Sequence, residues 1–262
     1  MVELEKIRVV DGWDRPRRVL RYLLVWVEAG EAVMVVDEKE YRLRQNDVIT
    51  ITSGQVHFFS RVDGEVACLS FSLDFICKDD NDIELIFHNG LFCHFGQNEV
   101  IGMDRPAEVR NLLDRIGSEL VMRPYQYLIS VRSYIELLLV GINRVKVERG
   151  DEIWKPDALF LRFLEAVRDN FSANLTVGDF AERLSTTREK LDELAKTHTG
   201  KTAQHVVYSL VISEAKRLLV YQDMSIKEIA YQLGFSDPFY FSNFFKKHAG
   251  QSPKAYKSAA GV

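Results

Sequence analysis

Cysteine is nearly absent from this sequence: Cys68, Cys77 and Cys93 are the only three in 262 residues. An odd, scattered set without CxxC spacing supplies neither a disulfide framework nor a thiolate zinc site. It suits a reducing cytoplasm, with the thiols serving as small buried hydrophobes. Long apolar runs are missing too. Runs such as LLVWV (23–27) and LLLV (137–140) fall far short of the roughly 20 residues that span a bilayer. The opening MVELEKIRVVDGWDRPRR mixes acids with bases and has no apolar h-region, so no signal peptide is expected. None of the six histidines precedes His57, while His88 and His94 stand alone and read as structural; no metal or other cofactor is expected. Excess positive charge is also lacking. With 34 Lys and Arg against 38 Asp and Glu the net charge is −4, which by itself points to no nucleic-acid partner.

What is present divides into two characters. Hydrophobic residues make up 47% and charged residues 27%, the mix of a soluble globular chain long enough for two domains. Charge is unevenly placed: residues 1–154 carry 19 bases against 26 acids, whereas 196–262 carry 9 against 4. Residues 18–72 alternate in the manner of short strands (RVLRYLLVWV, AVMVV, YRL, VITIT, VHFFSRV, VACLSFS), with turn signals at EAGE, DEKE, RQND, SGQ and DGE. That spacing predicts a small antiparallel barrel or sandwich. Beyond it the period becomes helical, with a short helix over 82–89 and longer ones over 105–121 and 126–146. The charged segment KVERGDEIWKP (146–156) reads as a linker. The fold class expected is α+β, with an N-terminal domain over 1–150 and an all-α domain over 151–262.

The all-α half contains one unit twice. Ser225 and Glu228 have capping-box spacing, and Ile226, Ile229, Ala230 and Leu233 make one apolar stripe. Gly234 stands where a left-handed residue ends a helix, and Asp237 caps a second helix with Pro238 at its first position. This is helix, glycine turn, helix. Upstream, TVGDFAERLSTTREKLDELAKTHTG repeats the plan, with Thr176 and Thr187 as caps. Ala181 matches Ala230, Leu184 matches Leu233, Leu191 matches Phe241 and Gly200 matches Gly250. A long helix over about 202–221 joins the two units.

The run AKRLLVYQDMSIKEIAYQLGFSDPFYFSNFFKKHAGQSPKAYK closely resembles the signature of AraC-type (AraC/XylS) transcription regulators. The matching residues are Ala215, Leu218, Leu219, Ile226, Ile229, Ala230, Gly234, Phe235, Phe241, Phe245, Lys246, Gly250, Ser252, Pro253 and Tyr256. The resemblance covers about residues 157–257. It implies two helix-turn-helix units on a rigid linker helix, with their second helices entering successive major grooves of double-stranded operator or promoter DNA. Phe241, Phe244 and Phe245, at i, i+3 and i+4, then pack inward. Pro238, Phe239, Ser242, Asn243 and Lys246 fall on the other side. Asn243 can read an adenine edge and Phe239 a thymine methyl, while Ser242, Lys246 and Lys247 hold phosphates. On the first reading helix the exposed face should be Thr187, Arg188, Glu189, Asp192 and Glu193. Its acids repel phosphate, leaving Thr187, Arg188 and Lys190 as contacts, and the second unit should dominate affinity. Many family members carry Arg on the linker helix where this chain has Val211.

Residues 18–72 resemble the cupin-like sensor domain often joined to such units, through Asp47, Gly54 and His57 in RQNDVITITSGQVHFF; Asn46 and Thr52 depart from the pattern. With no His-x-His before it, His57 is a pocket or core residue and not part of a cupin metal site. A small organic effector such as a sugar or metabolite would sit near Tyr22, Trp26, Met34, Tyr41 and His57. In the family, helices like 126–146 form a dimer interface, which implies a homodimer; RNA polymerase is a further partner. The function expected is a sequence-specific, cytoplasmic, effector-responsive transcription regulator and not an enzyme. Two alternatives stand beside it. One is a regulator whose N-terminal half only dimerises or binds a protein. The other is a cupin or alkyl-transfer DNA-repair enzyme, against which the missing metal ligands count. Activation or repression, the operator and the effector's identity are not written in the sequence.

Overall fold

The computed structural model describes residues 2–11, 15–77, 87, 90–92, 97–151 and 157–259. Cys93, His88, His94, most of the helix expected over 82–89 and the linker stretch 152–156 lie outside the described residues. The chain divides into two compact units, Met1–Lys155 and Pro156–Val262.

The first unit is built on an antiparallel sheet. Its strands are β1 (Val2–Asp11), β2 (Arg17–Arg18), β3 (Tyr22–Val36), β4 (Lys39–Arg44), β5 (Asp47–Ile51), β6 (Val56–Phe71) and β7 (Val100–Gly102). They run in the order β1-β6-β3-β5-β7, with β2 added to β6 and β4 to β3. The signals EAGE (28–31) and DGE (63–65) are not turns after all: β3 and β6 pass straight through them, with Gly30 opposite Gly64. Positive φ at both glycines, and a backbone approach that leaves a Cβ on either no room, let both strands bend at one place. Residues from both arms of β3, Leu23, Val25 and Val27 with Ala32, Met34 and Val36, consequently join one buried cluster. The sheet is rolled around that core as a barrel. Strand β1 is absent from the sequence expectations, because acids and bases interrupt its alternation.

After a single helical turn, α1 (Leu73–Ile76), two long helices complete the unit: α2 (Pro106–Met122) and α3 (Tyr127–Glu148). They bury Val109, Leu113 and Ile116, and Val131, Ile135, Leu138, Leu139 and Ile142. Glu28, only 8% exposed, ties this layer to the sheet through Lys6 of β1 at 3.1 Å and Arg110 of α2 at 2.8 Å. A carboxylate that deep is tolerable because both cations face it. Lys146, expected to open the linker, lies inside α3, buried and paired with Glu99.

The second unit is helical among the described residues: α4 (Ala158–Asp169), α5 (Val177–Arg183), α6 (Arg188–Thr199), α7 (Ala203–Tyr221), α8 (Ile226–Gln232), α9 (Pro238–Ala249) and α10 (Pro253–Ala259), with a short 3-10 turn at Phe171–Ala173. The sequence repeat is a structural repeat. Thr176 with Asp179 and Ser225 with Glu228 both form reciprocal capping boxes, which satisfy the first amides of α5 and α8. The backbone and hydroxyl of Thr176 hold the Asp179 carboxyl below its ordinary range, and those of Ser225 do the same for Glu228.

Gly234 does more than end α8. At φ 77°, a Cβ there would stand 2.6 Å from the Ser172 carbonyl and 2.9 Å from the Asn174 amide, so the glycine turn of the second repeat sits directly on the 3-10 segment that precedes the first repeat. Gly250 has φ 81° but faces open space. Gly250→Ala should therefore cost about 1–2 kcal/mol, the left-handed penalty alone, while Gly234→Ala adds a backbone clash and should cost about 3 kcal/mol or more. Urea denaturation of the two variants checks the difference, and equal midpoints would show that the close approach at Ser172 carries no energy.

Candidate nucleic-acid interface

The core of the second repeat is aromatic. Phe241 and Phe245 are fully buried and Phe235 nearly so; Phe235 lies 5.3 Å from both Phe241 and Phe244, and Phe245 lies 5.6 Å from Tyr256. These rings join Ile229, Ala230 and Leu233 of α8 and its turn to Ile212, Ala215, Leu218 and Leu219 of α7. The inward side of α9 is thus filled. Its outward side carries Phe239 (73% exposed) and exposed Asn243, Lys246 and Lys247, with Pro238 and Ser242 half-buried. Every residue expected on this face is there. One role changes, since the Ser242 hydroxyl donates to the Pro238 carbonyl at 2.9 Å, which commits its proton to the helix. His248, in the last turn, is held below the ordinary histidine range by burial first and then by Lys247 and His205.

Tyr240 was not expected on the surface, yet it is 64% exposed. Its three-residue step to Asn243 was the available signal.

The first repeat differs in charge. Thr187, Arg188, Glu189, Lys190 and Glu193 of α6 and its cap are exposed. Thr187 accepts from the Lys190 amide at 3.2 Å as N-cap, and Lys190 pairs with Glu193 at 3.1 Å. Asp192, expected on the same face, instead turns away. It accepts from the Ala203 amide at 2.8 Å and caps the linker helix beside Thr202, which accepts from His205. One of the acids is structural and another is neutralised locally, which makes α6 less repulsive than its sequence suggested. Val211 is half-buried and packs against the second repeat's core.

In the first unit the five expected effector residues do not share a wall. Met34 belongs to the interior cluster, Tyr41 packs on it, and His57 is paired in register with interior Val36. Tyr22 and Trp26 point to the opposite face, because they alternate with the interior Leu23, Val25 and Val27. There Tyr22 meets Phe87 and Phe92 at 5.3 and 5.2 Å. The interior is largely filled. A pocket of about 150 Å³ remains at one end, between Glu5, Arg17, Leu23, His57, Phe59 and Cys68. Burial pushes the Cys68 thiol up to about 12, so no thiolate nucleophile stands in it. A wider groove of about 730 Å³ lies between α2 and α3, lined by Leu112, Leu137, Leu138 and Gly141 together with Arg105 and Arg144. Among the described residues no three His, Cys, Asp or Glu side chains are grouped to hold a metal, and no helix is long and apolar enough to cross a membrane.

A family model described as a helix-turn-helix domain matches residues 180–259, and one described as an AraC-like ligand binding domain matches residues 11–116. The chain belongs to the AraC-type transcription regulators. It is 27% identical over 250 residues to the transcriptional activator RhaS of Pectobacterium carotovorum, covering 90% of this chain and 85% of that protein. Over 96 residues it is 32% identical to the raffinose operon regulatory protein RafR of Pediococcus pentosaceus, covering 37% of this chain and 35% of RafR. Among solved structures it resembles ToxT of Vibrio cholerae with a bound unsaturated fatty acid, at 19% identity and a TM-score of 0.45 over 98% of this chain and 94% of ToxT. Within the AraC-type pattern of two reading helices, this chain has one with an open polar and basic face and one whose charges largely cancel.

Asp192 and Glu193 of α6 should separate on substitution. Asp192→Ala removes a cap and should cost about 1 kcal/mol of stability. Glu193→Gln should leave stability unchanged and tighten DNA binding by about 0.5 kcal/mol, roughly twofold, by freeing Lys190. Thermal melts and fluorescence anisotropy on the same two proteins decide it; an affinity unchanged in Glu193→Gln would mean that α6 does not approach phosphate.

Proposed function

We propose that the protein is a regulator that binds double-stranded operator DNA chiefly through α9. The observation that carries this reading is the contrast between the two reading helices. Phe239, Asn243, Lys246 and Lys247 form an exposed face with no acid in it, whereas on α6 Lys190 is engaged by Glu193. Asn243 contacts a base, Lys246 and Lys247 hold phosphates, Phe239 meets a thymine methyl, and Arg188, Lys190 and Thr187 add a weaker set. Asn243→Ala should cost about 1–3 kcal/mol on the preferred sequence and relax the preference at one base pair. Lys246→Ala should weaken all duplexes alike and reduce the salt slope by about 1. Arg188→Ala should do less than either. Anisotropy titrations against a duplex selected by the wild-type protein measure all three; a dominant Arg188 effect would reverse the assignment.

On this reading the first unit holds a small organic effector, such as a sugar or another metabolite, in the pocket beside His57. Two copies pair through α3, the protein works in the cytoplasm, and RNA polymerase is its protein partner at the promoter. The reading contains no catalytic step. A second reading is favoured by the filled barrel interior: the first unit only pairs copies or binds a protein. A thermal-shift panel of sugars and metabolites separates the two. Leu137 is 55% exposed on α3. Leu137→Arg should give a monomer at micromolar concentration in sedimentation, with an unchanged melting temperature, and a persisting dimer would move the interface elsewhere.

A further inference from the structure

Tyr240 stands outside the set of residues assigned to bases and phosphates above. It is the third residue of α9, and its ring leans on Phe235 at a centroid distance of 6.0 Å, so one edge is fixed while most of the ring is open. Among the described residues its hydroxyl takes no hydrogen bond. The ring borders a cleft of about 200 Å³ within the second unit. Asn174 and Thr176, which lead into α5, line the same cleft, together with Val207, Tyr208 and Val211 of α7. No charged side chain lines this cleft.

The position of the cleft says what passes over it. In a helix-turn-helix the helix before the reading helix crosses the sugar-phosphate backbone at the edge of the groove. In the first repeat that helix is α5, and Thr176, which caps it, lines the same cleft as Tyr240. A DNA strand crossed by α5 would pass the same cleft that Tyr240 borders. Where it passes the cleft it meets no cation, only neutral groups, and the phenol of Tyr240 is a rigidly placed donor among them.

We propose that the Tyr240 hydroxyl donates a hydrogen bond to a phosphate of the strand between the two grooves. The contact fixes the spacing between α6 and α9 on the duplex and reads no sequence. A neutral donor displaces no counterion, so this part of the affinity does not change with salt, unlike the part supplied by Lys246. The proposal rests on the DNA-binding reading.

The test uses the full chain and a duplex of about four helical turns, selected from a random pool by the wild-type protein, beside a scrambled control. Affinities are measured between about 50 and 200 mM salt for the wild type, Tyr240→Phe and Lys246→Gln. Tyr240→Phe keeps the ring and its packing, and an unchanged melt confirms the fold. It should weaken binding to both duplexes by about three- to tenfold and leave the slope against salt as in the wild type, while Lys246→Gln lowers that slope by about 1. Wild-type affinity in Tyr240→Phe overturns the assignment alone. A loss confined to the selected duplex also overturns it, because the contact is then to a base. A wild-type protein that retains no duplex overturns the DNA-binding reading, and this assignment with it.

Discussion

The second unit depends on α7 being apolar on more than one side. Its first half buries Ala203, Val206, Val207 and Leu210, and its second half buries Ile212, Ala215, Leu218 and Leu219 under the aromatic core of the second repeat. Each buried side chain of this kind is worth about 1.5–3 kcal/mol relative to exposure. Two short helix pairs, each too small to hold a core alone, thereby share one. Asp192 and Thr202 complete the arrangement from the first repeat by capping α7's opening amides. Gly234 completes it from the second by allowing its turn to rest on Ser172 and Asn174. The reading helices are thus set relative to each other by packing, and their spacing is a property of the unit before any duplex arrives.

The same economy explains the first unit. A barrel needs its strands to bend, and here the bend is concentrated at Gly30 and Gly64, facing each other across β3 and β6. Once both strands turn together, one cluster can serve the whole interior. Among the described residues a pocket of about 150 Å³ lies at the end of this interior near His57. The helices α2 and α3 are held to the outside by the Glu28 and Lys146 ion pairs. Their outer groove is left open, with exposed Leu137 among its lining residues.

Much of this was legible in the sequence, for local reasons. Caps, glycine stops and helical stripes are written within a few residues of where they act, so the repeat of α5–α6 in α8–α9 could be read with its caps. The division of Phe239 and Asn243 from Phe241 and Phe245 followed from helical spacing alone. What could not be read depends on distant partners. EAGE and DGE look like turns until each is found paired with the other, and Asp192 looks like a surface acid until Ala203 is placed beside it. Strand parity failed for the effector list because Tyr22 and Trp26 are as apolar as their interior neighbours. A strand buried on both faces shows no alternation to count.

The charge distribution then constrains how such a protein must hold DNA. Its net charge is −4, and its first reading helix spends Lys190 on Glu193. Burial holds His248 below the ordinary histidine range, and no charged side chain lines the cleft that Tyr240 borders. Lys246 and Lys247 remain exposed to release counterions, but with Lys190 engaged the first reading helix adds little to that electrostatic term. Affinity has to come from directed contacts at fixed places: an amide on a base edge, a ring on a methyl, a hydroxyl on a phosphate. Contacts of that kind count only if the donors are already in position, because each misplaced one must be paid for in lost conformational freedom. The rigid seat of both repeats on α7 supplies that position. A polybasic reader can tolerate a loose frame, whereas one with this charge pattern cannot, and the close glycine turn and the shared caps are where the chain enforces it.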